Sequence, residues 1–227
     1  MVAVSVSPVP FSRPFRTPAE LTNLEAVLAS GHVHGDGDFT RSASARLRDI
    51  IPGGPALLTS SGTHALEMAS LLLRLEPGDE VILPSFTFPS AATAIALTGA
   101  TPVFVDIDGT TGNIDPASAE AAVTSRTKAI SVMHYGGVGV DLAAIDAIAA
   151  AHGLPIIEDN AHGLGASRDG QSLGAWGRLA IQSFHDTKNI HSAPSRALFA
   201  HHPDLVAPAV TSPANGTNRP RCLRRQA

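Results

Sequence analysis

"AISVMHYGGVGVDLAAIDAIAAAHGLPIIEDN", Ala129–Asn160, reads as strand, helix, strand. The first and last apolar runs are too short for helices, and they are apolar throughout rather than alternating, as strands covered on both faces are. Between them Asp141 can cap a helix, Leu142, Ile145 and Ile148 or Ala149 recur at helical spacing, and Gly153 can close the end. Two strands joined this way form a parallel pair with a right-handed crossover.

The same rhythm extends in both directions. "PALLTS", "EVILPS", "TPVFVDI", "LAIQSF" and "RALFAH" are further short apolar runs, most of them separated by turn residues and helix-like stretches. The alternation predicts an α/β domain with a mainly parallel sheet and helices on both faces. In such sheets ligands sit beyond the carboxyl ends of the strands. The polar letters that follow the apolar runs are therefore the candidates for chemistry: "SSGTH", "PSFTFPS", "HYGGVG", "EDNAHG" and "SFHDTKN".

The chain has 227 residues, enough for one well-cored domain. The expected division is an extended arm over 1–20, a large domain over 21–205 and an irregular tail over 206–227. A net charge of −4 gives no field for nucleic acid or an anionic membrane. One cysteine, Cys222, excludes an internal disulfide framework and fits a reducing compartment, with cytoplasm the simplest expectation. Pro8, Pro10 and Pro14 interrupt the N-terminal stretch, so neither a signal peptide nor a membrane span is indicated there.

In "TSSGTHALEM" a strand meets Ser60, Ser61, Gly62 and Thr63 and then a helix. Free amides and the helix dipole at such a turn suit a phosphate, although the turn by itself also reads as an ordinary serine N-cap. "LPIIEDNAHG" delivers Glu158 and Asp159 to a strand end. For Glu158 a solvated strand end is expected. Asp159 belongs to the strand immediately before the one that ends at Lys188, so an acid and a lysine open onto one crevice. Phe86 and Phe88, taken alone, read as core packing. A phosphate cradle, a carboxylate and a lysine together suit pyridoxal phosphate: a helix N-terminus for its phosphate, an acid for its ring nitrogen and an amine for its aldehyde.

These segments carry a resemblance. "LLTSSGTHALEMASLLL", "PGDEVILPSFTFPSAATAIALTGATPVFVDID", "AISVMHYGGVGVDLAAI", "IIEDNAHGLGA" and "SFHDTKN" occur in order and resemble the DegT/DnrJ/EryC1/StrS family of pyridoxal-phosphate sugar aminotransferases. "GHVHGDGDFTR", "SFHDTKN" and "GTNR" are most similar to its dTDP-4-amino-4,6-dideoxygalactose transaminases. The resemblance implies the large domain of the fold-type-I pyridoxal-phosphate enzymes. It assigns Lys188 to the lysine that bonds the cofactor and shuttles protons, and Asp159 to the partner of the ring nitrogen. His162 would lie near the ring hydroxyl, and Phe88 would stack on the ring. Gly62, Thr63 and Ser183 would contact the phosphate, while His185 and Asn189 flank the lysine and could orient it. Dehydratase relatives carry histidine at the lysine position, so Lys188 favours transamination. The implied reaction moves an amino group from glutamate to C4 of a dTDP-linked 4-keto-6-deoxysugar, in a homodimer. No acid or cysteine gathers beside the histidines at ligand spacing, which argues against a metal.

Two departures qualify this. After "SFHDTKNI" the family continues with a glycine-rich acidic turn, whereas here the letters are "HSAPSRALFAHHPDLV". Ala193, Pro194 and Ser195 lack glycine's backbone freedom, which puts a tight approach of that turn to the pocket in question. Family members also continue past "GTNR" into a smaller C-terminal domain, and here the letters end with "PRCLRRQA". A truncated product, with reading-frame changes near His191 and Cys222, is the resulting expectation. A non-catalytic relative that binds the cofactor or a partner chain is the alternative. A dehydrogenase is the weakest reading, because no G-x-G-x-x-G follows the first strand.

Overall fold

The computed structural model describes residues 9, 10, 12–192 and 195–211. Cys222, "GTNR", Ala193, Pro194 and residues 212–227 of the expected tail lie outside the described residues, as do 1–8 of the expected arm. Seven strands form one sheet: β1 (Ala56–Thr59), β2 (Glu80–Pro84), β3 (Thr101–Val105), β4 (Thr127–Met133), β5 (Ile156–Asp159), β8 (Leu179–Ser183) and β9 (Arg196–Ala200). Each falls on one of the expected apolar runs. Their order is β1-β9-β8-β5-β4-β2-β3. The pairings β8–β5, β5–β4, β4–β2 and β2–β3 are parallel, and β9 runs antiparallel to both its neighbours.

Strand alternation sorts the core into two layers. Val81, Leu83, Ile157, Leu179, Ile181 and Leu198 pack on one face with α3 (Gly62–Leu72), α4 (Pro89–Ala96) and α7 (Pro203–Thr211). On the other face Ile82, Ile130, Val132 and Ile156 meet α5 (Pro116–Ala121) and α6 (Leu142–His152), and Ala197 and Phe199 meet α2 (Asp38–Ile50). The central strands β2, β5 and β8 are buried along their whole length, which is why they carry no polar alternation; the edge strand β3 is partly exposed.

Local chemistry sets the helix ends. Asp141 accepts from the Ala144 amide at 3.0 Å and Gly153 closes α6 at φ 65°, as the sequence predicts. Three boundaries differ. α1 (Ala19–Ser30) starts inside the expected arm, and it buries none of its residues. α7 runs through the start of the expected irregular tail, despite Pro208, because Leu205 and Ala209 are buried in the core. A hairpin of β6 (Ser167–Arg168) and β7 (Gln171–Ser172) was not expected; Asp169 and Gly170 turn it with positive φ.

Candidate active site

The carboxyl ends of β5 and β8, the N-terminus of α3 and the segment before α4 surround a cavity of about 570 Å³. Gly62, Thr63, Phe88, Asp159, His162, Ser183, His185 and Lys188 all line it, and so do Phe86, Tyr135 and Arg196. Sequence positions more than a hundred residues apart thus meet because parallel strands deliver their last residues to one edge.

Asp159 and Glu158, consecutive in β5, have opposite fates because neighbouring strand residues face opposite sides of the sheet. Asp159 lines the cavity while only 4% exposed, and its Oδ1 accepts from the Ala161 amide at 3.1 Å. Burial pushes its carboxyl above the usual range, against the pull of that amide and of the charges on Lys188, His134 and Arg196. Glu158 is not the solvated strand end expected of it. It is fully buried: Oε2 accepts from His134 Nε2 at 2.8 Å and the Gly174 amide at 2.9 Å, and Oε1 from the amides of Trp176 at 2.7 Å and Gly177 at 2.6 Å. Burial alone would raise its pKa; the hydrogen bond and charge of His134 and the amides of Gly177 and Trp176 hold it below the usual range. Gly177 is required here, since a Cβ would lie 2.7 Å from the Ile156 carbonyl oxygen.

Lys188 is half-buried at the cavity edge. Burial lowers its pKa, the Asp159 charge opposes that, and the Arg196 charge adds to it. His162 Nδ1 accepts from the Gly136 amide at 3.1 Å, so the neutral ring carries its proton on Nε2 as a donor. Burial and the Lys188 charge both lower its pKa and favour that neutral form. Tyr135 packs against Phe86 with ring centroids 4.3 Å apart and the rings tilted by 30°, and it meets His162 edge-on at 5.4 Å.

The turn into α3 is both things the sequence allowed. Ser61 is an N-cap, accepting from the His64 amide at 3.1 Å, and it also lines the cavity with Gly62 and Thr63. Thr63 Oγ1 is linked to Ser90 Oγ at 2.9 Å, which ties α3 to α4. Ser183 is buried at the end of β8.

Two expectations about aromatic and flanking residues are corrected. Phe86 and Phe88 are not core residues: they are 46% and 66% exposed and belong to the cavity wall. Asn189 does not line the cavity; its Nδ2 donates to the Leu164 carbonyl at 2.8 Å and anchors the loop that holds Lys188. His185 bonds Thr187 Oγ1 at 3.0 Å and pairs with Asp186 at 2.7 Å, so it braces the same loop. Arg196 was missed, although a signal existed. The stretch between Ser183 and Arg196 lacks the helical period of a parallel crossover, so the next strand had to run back and bring its first residue to the cavity.

Known proteins resemble the chain in sequence and fold. The DegT/DnrJ/EryC1/StrS aminotransferase family matches residues 16–223, and the chain belongs to that family. Similar solved structures include DesI in the presence of its TDP-sugar product, at 33% identity and TM-score 0.87, covering 94% of this chain and 54% of that one. The aminotransferase from Psychrobacter cryohalolentis matches at 32% identity and TM-score 0.85, covering 89% and 52%. Spr1654 from Streptococcus pneumoniae in its PMP form matches at 30% identity and TM-score 0.81, covering 87% and 54%; it is also known in a PLP form. The chain spans about half the length of these structures.

Proposed function

We propose that the chain is a pyridoxal-phosphate aminotransferase that moves an amino group from glutamate to C4 of a dTDP-linked 4-keto-6-deoxysugar. The observation that carries this is the meeting of Lys188, Asp159 and the N-terminus of α3 in one cavity, in a member of an aminotransferase family. The donor set fits the cofactor. Gly62 lets the Arg196 side chain lie against the start of α3, since a Cβ there would come within 2.9 Å of its Nε. Asp159 is a buried acid that gains from a protonated partner.

Bound there, pyridoxal phosphate supplies a carbonyl that exchanges amines and a ring that withdraws electrons from the neighbouring carbon. Lys188 Nζ would hold the cofactor and, when free, would serve as the base and acid that moves the proton. Its lowered pKa increases the share of free amine available for both tasks. Asp159 would pair with the protonated ring nitrogen, His162 Nε2 would donate to the ring oxygen, and Phe88 would offer a face to the ring. Thr63 and Ser183 would offer hydroxyls to the phosphate beside the free amides of α3. Asn189 and His185 act on Lys188 only through the loop they brace.

Exposed Leu21, Leu24 and Leu28 on α1 supply apolar surface for a homodimer, and sedimentation equilibrium showing a monomer at micromolar concentration would refute that assembly. No described helix is long and apolar enough to cross a membrane, which accords with a cytoplasmic enzyme. The reaction is tested by adding glutamate to cofactor-loaded protein and following the visible band. Loss of the band, restored by a dTDP-linked 4-keto-6-deoxysugar, is expected. A band that persists would instead support cofactor binding without turnover.

A further inference from the structure

We propose that Arg196 is the cation of the cofactor-phosphate subsite, a role the glycine-rich turn expected from the family resemblance does not provide. The inference rests on reading the cavity as a pyridoxal-phosphate site. It begins with topology. β9 is the antiparallel strand, so its first residue lies at the edge where its neighbours end: Arg196 is in register with Thr59 of β1 and Ser183 of β8. Thr59 leads directly into the Ser60–Gly62 turn, and Ser183 lines the cavity. Arg196 therefore stands between two of the backbone segments that converge on the anion corner.

The side chain then turns over the start of α3. A Cβ placed on Gly62 would meet Nε of Arg196 at 2.9 Å, Cδ at 3.3 Å and Cγ at 3.4 Å. The guanidinium is thus held at the helix N-terminus, where Ser61 and Thr63 also line the cavity. Nη1 donates to the Ser195 carbonyl at 2.8 Å, which fixes the fork. Among the described residues Arg196 forms no ion pair with a carboxylate, yet its side chain is half-buried and feels the Asp159 charge. A partly desolvated guanidinium keeps its charge and gains most from a doubly charged, multi-oxygen anion that its planar fork can grip at two points. Phosphate at the end of the cofactor has that chemistry.

The test compares two ligands that differ only in the phosphate. Binding of pyridoxal phosphate and of pyridoxal, followed by the visible band, is measured for the wild type, Arg196→Ala and Arg196→Lys. For the alanine variant the dissociation constant of pyridoxal phosphate rises about tenfold to a hundredfold, while that of pyridoxal stays within about twofold. Inorganic phosphate competes with pyridoxal phosphate in the wild type and loses most of that effect in the variant. The lysine variant, which keeps the charge without the fork, shows a smaller loss in the same direction and serves if the alanine variant does not fold. An unchanged ratio of the two affinities in either folded variant overturns the role of Arg196. A wild-type protein that binds neither aldehyde overturns the cofactor reading itself, so the two failures are distinguishable.

Discussion

Replacing Glu158 by Gln isolates the burial of one carboxylate behind the site. In the structure its two oxygens accept from four donors: His134 Nε2 and the amides of Gly174, Trp176 and Gly177. A carboxamide has one oxygen, so whichever way it turns, its NH2 faces two of those donors. His134 cannot escape by changing tautomer, because its Nδ1 already accepts from the Val140 amide at 3.3 Å. Two buried donors therefore lose their acceptor, at about 1–3 kcal/mol each. A total of about 2–6 kcal/mol is a large part of the roughly 5–15 kcal/mol that holds a domain folded. Urea unfolding should show a lower midpoint for Glu158→Gln at unchanged slope. The sign of the pH dependence follows from the lowered carboxyl pKa. The wild-type advantage is fully present above the unfolded carboxylate range and is lost as pH falls through the folded value. A difference under about 0.5 kcal/mol at neutral pH, the size expected for a surface change, would refute the buried clamp.

Other perturbations separate stability from function. Asp159→Asn should slow the glutamate half-reaction by about 10²–10³-fold in stopped-flow absorbance. The same change removes a charge that raises the Lys188 pKa, so amine labelling of Lys188 should titrate at lower pH than in the wild type; a shift upward would contradict the coupling. Phe88→Ala should leave thermal stability nearly unchanged, because the ring is largely exposed, while pyridoxal-phosphate affinity falls about twofold to tenfold by fluorescence titration. A loss of several kcal/mol in stability would return Phe88 to the core. Asp141→Ala removes the cap of α6 and should cost about 1 kcal/mol, or about 2–4 °C in Tm, with cofactor affinity unchanged.

The sheet was legible because its strands are buried on both faces. Continuous apolar runs such as Val81–Leu83 and Leu179–Ile181 read as buried strands once turn residues bound them. Asp159 and Lys188 were legible for a related reason: they follow such runs at the carboxyl edge of the sheet, where the crevice opens. Glu158 was misread because its partners are not local. His134 is 24 residues earlier and the amide donors are 16 to 19 residues later, and no periodicity announces that they converge. Phe88 looked like core by residue type, yet its position before Pro89, at the start of α4, places it on the cavity wall. The β6–β7 hairpin has strands of two residues, too short to carry a period.

The central claim is a covalent one: the Lys188 amine, in the loop that follows β8, bonds the aldehyde of vitamin B6. Incubation with pyridoxal phosphate, reduction with borohydride and peptide mass spectrometry measures it directly. The account predicts a single reduced pyridoxyl adduct, on Lys188, that disappears in Lys188→Ala. An adduct on Lys128, the only other lysine, or none at Lys188, would contradict it.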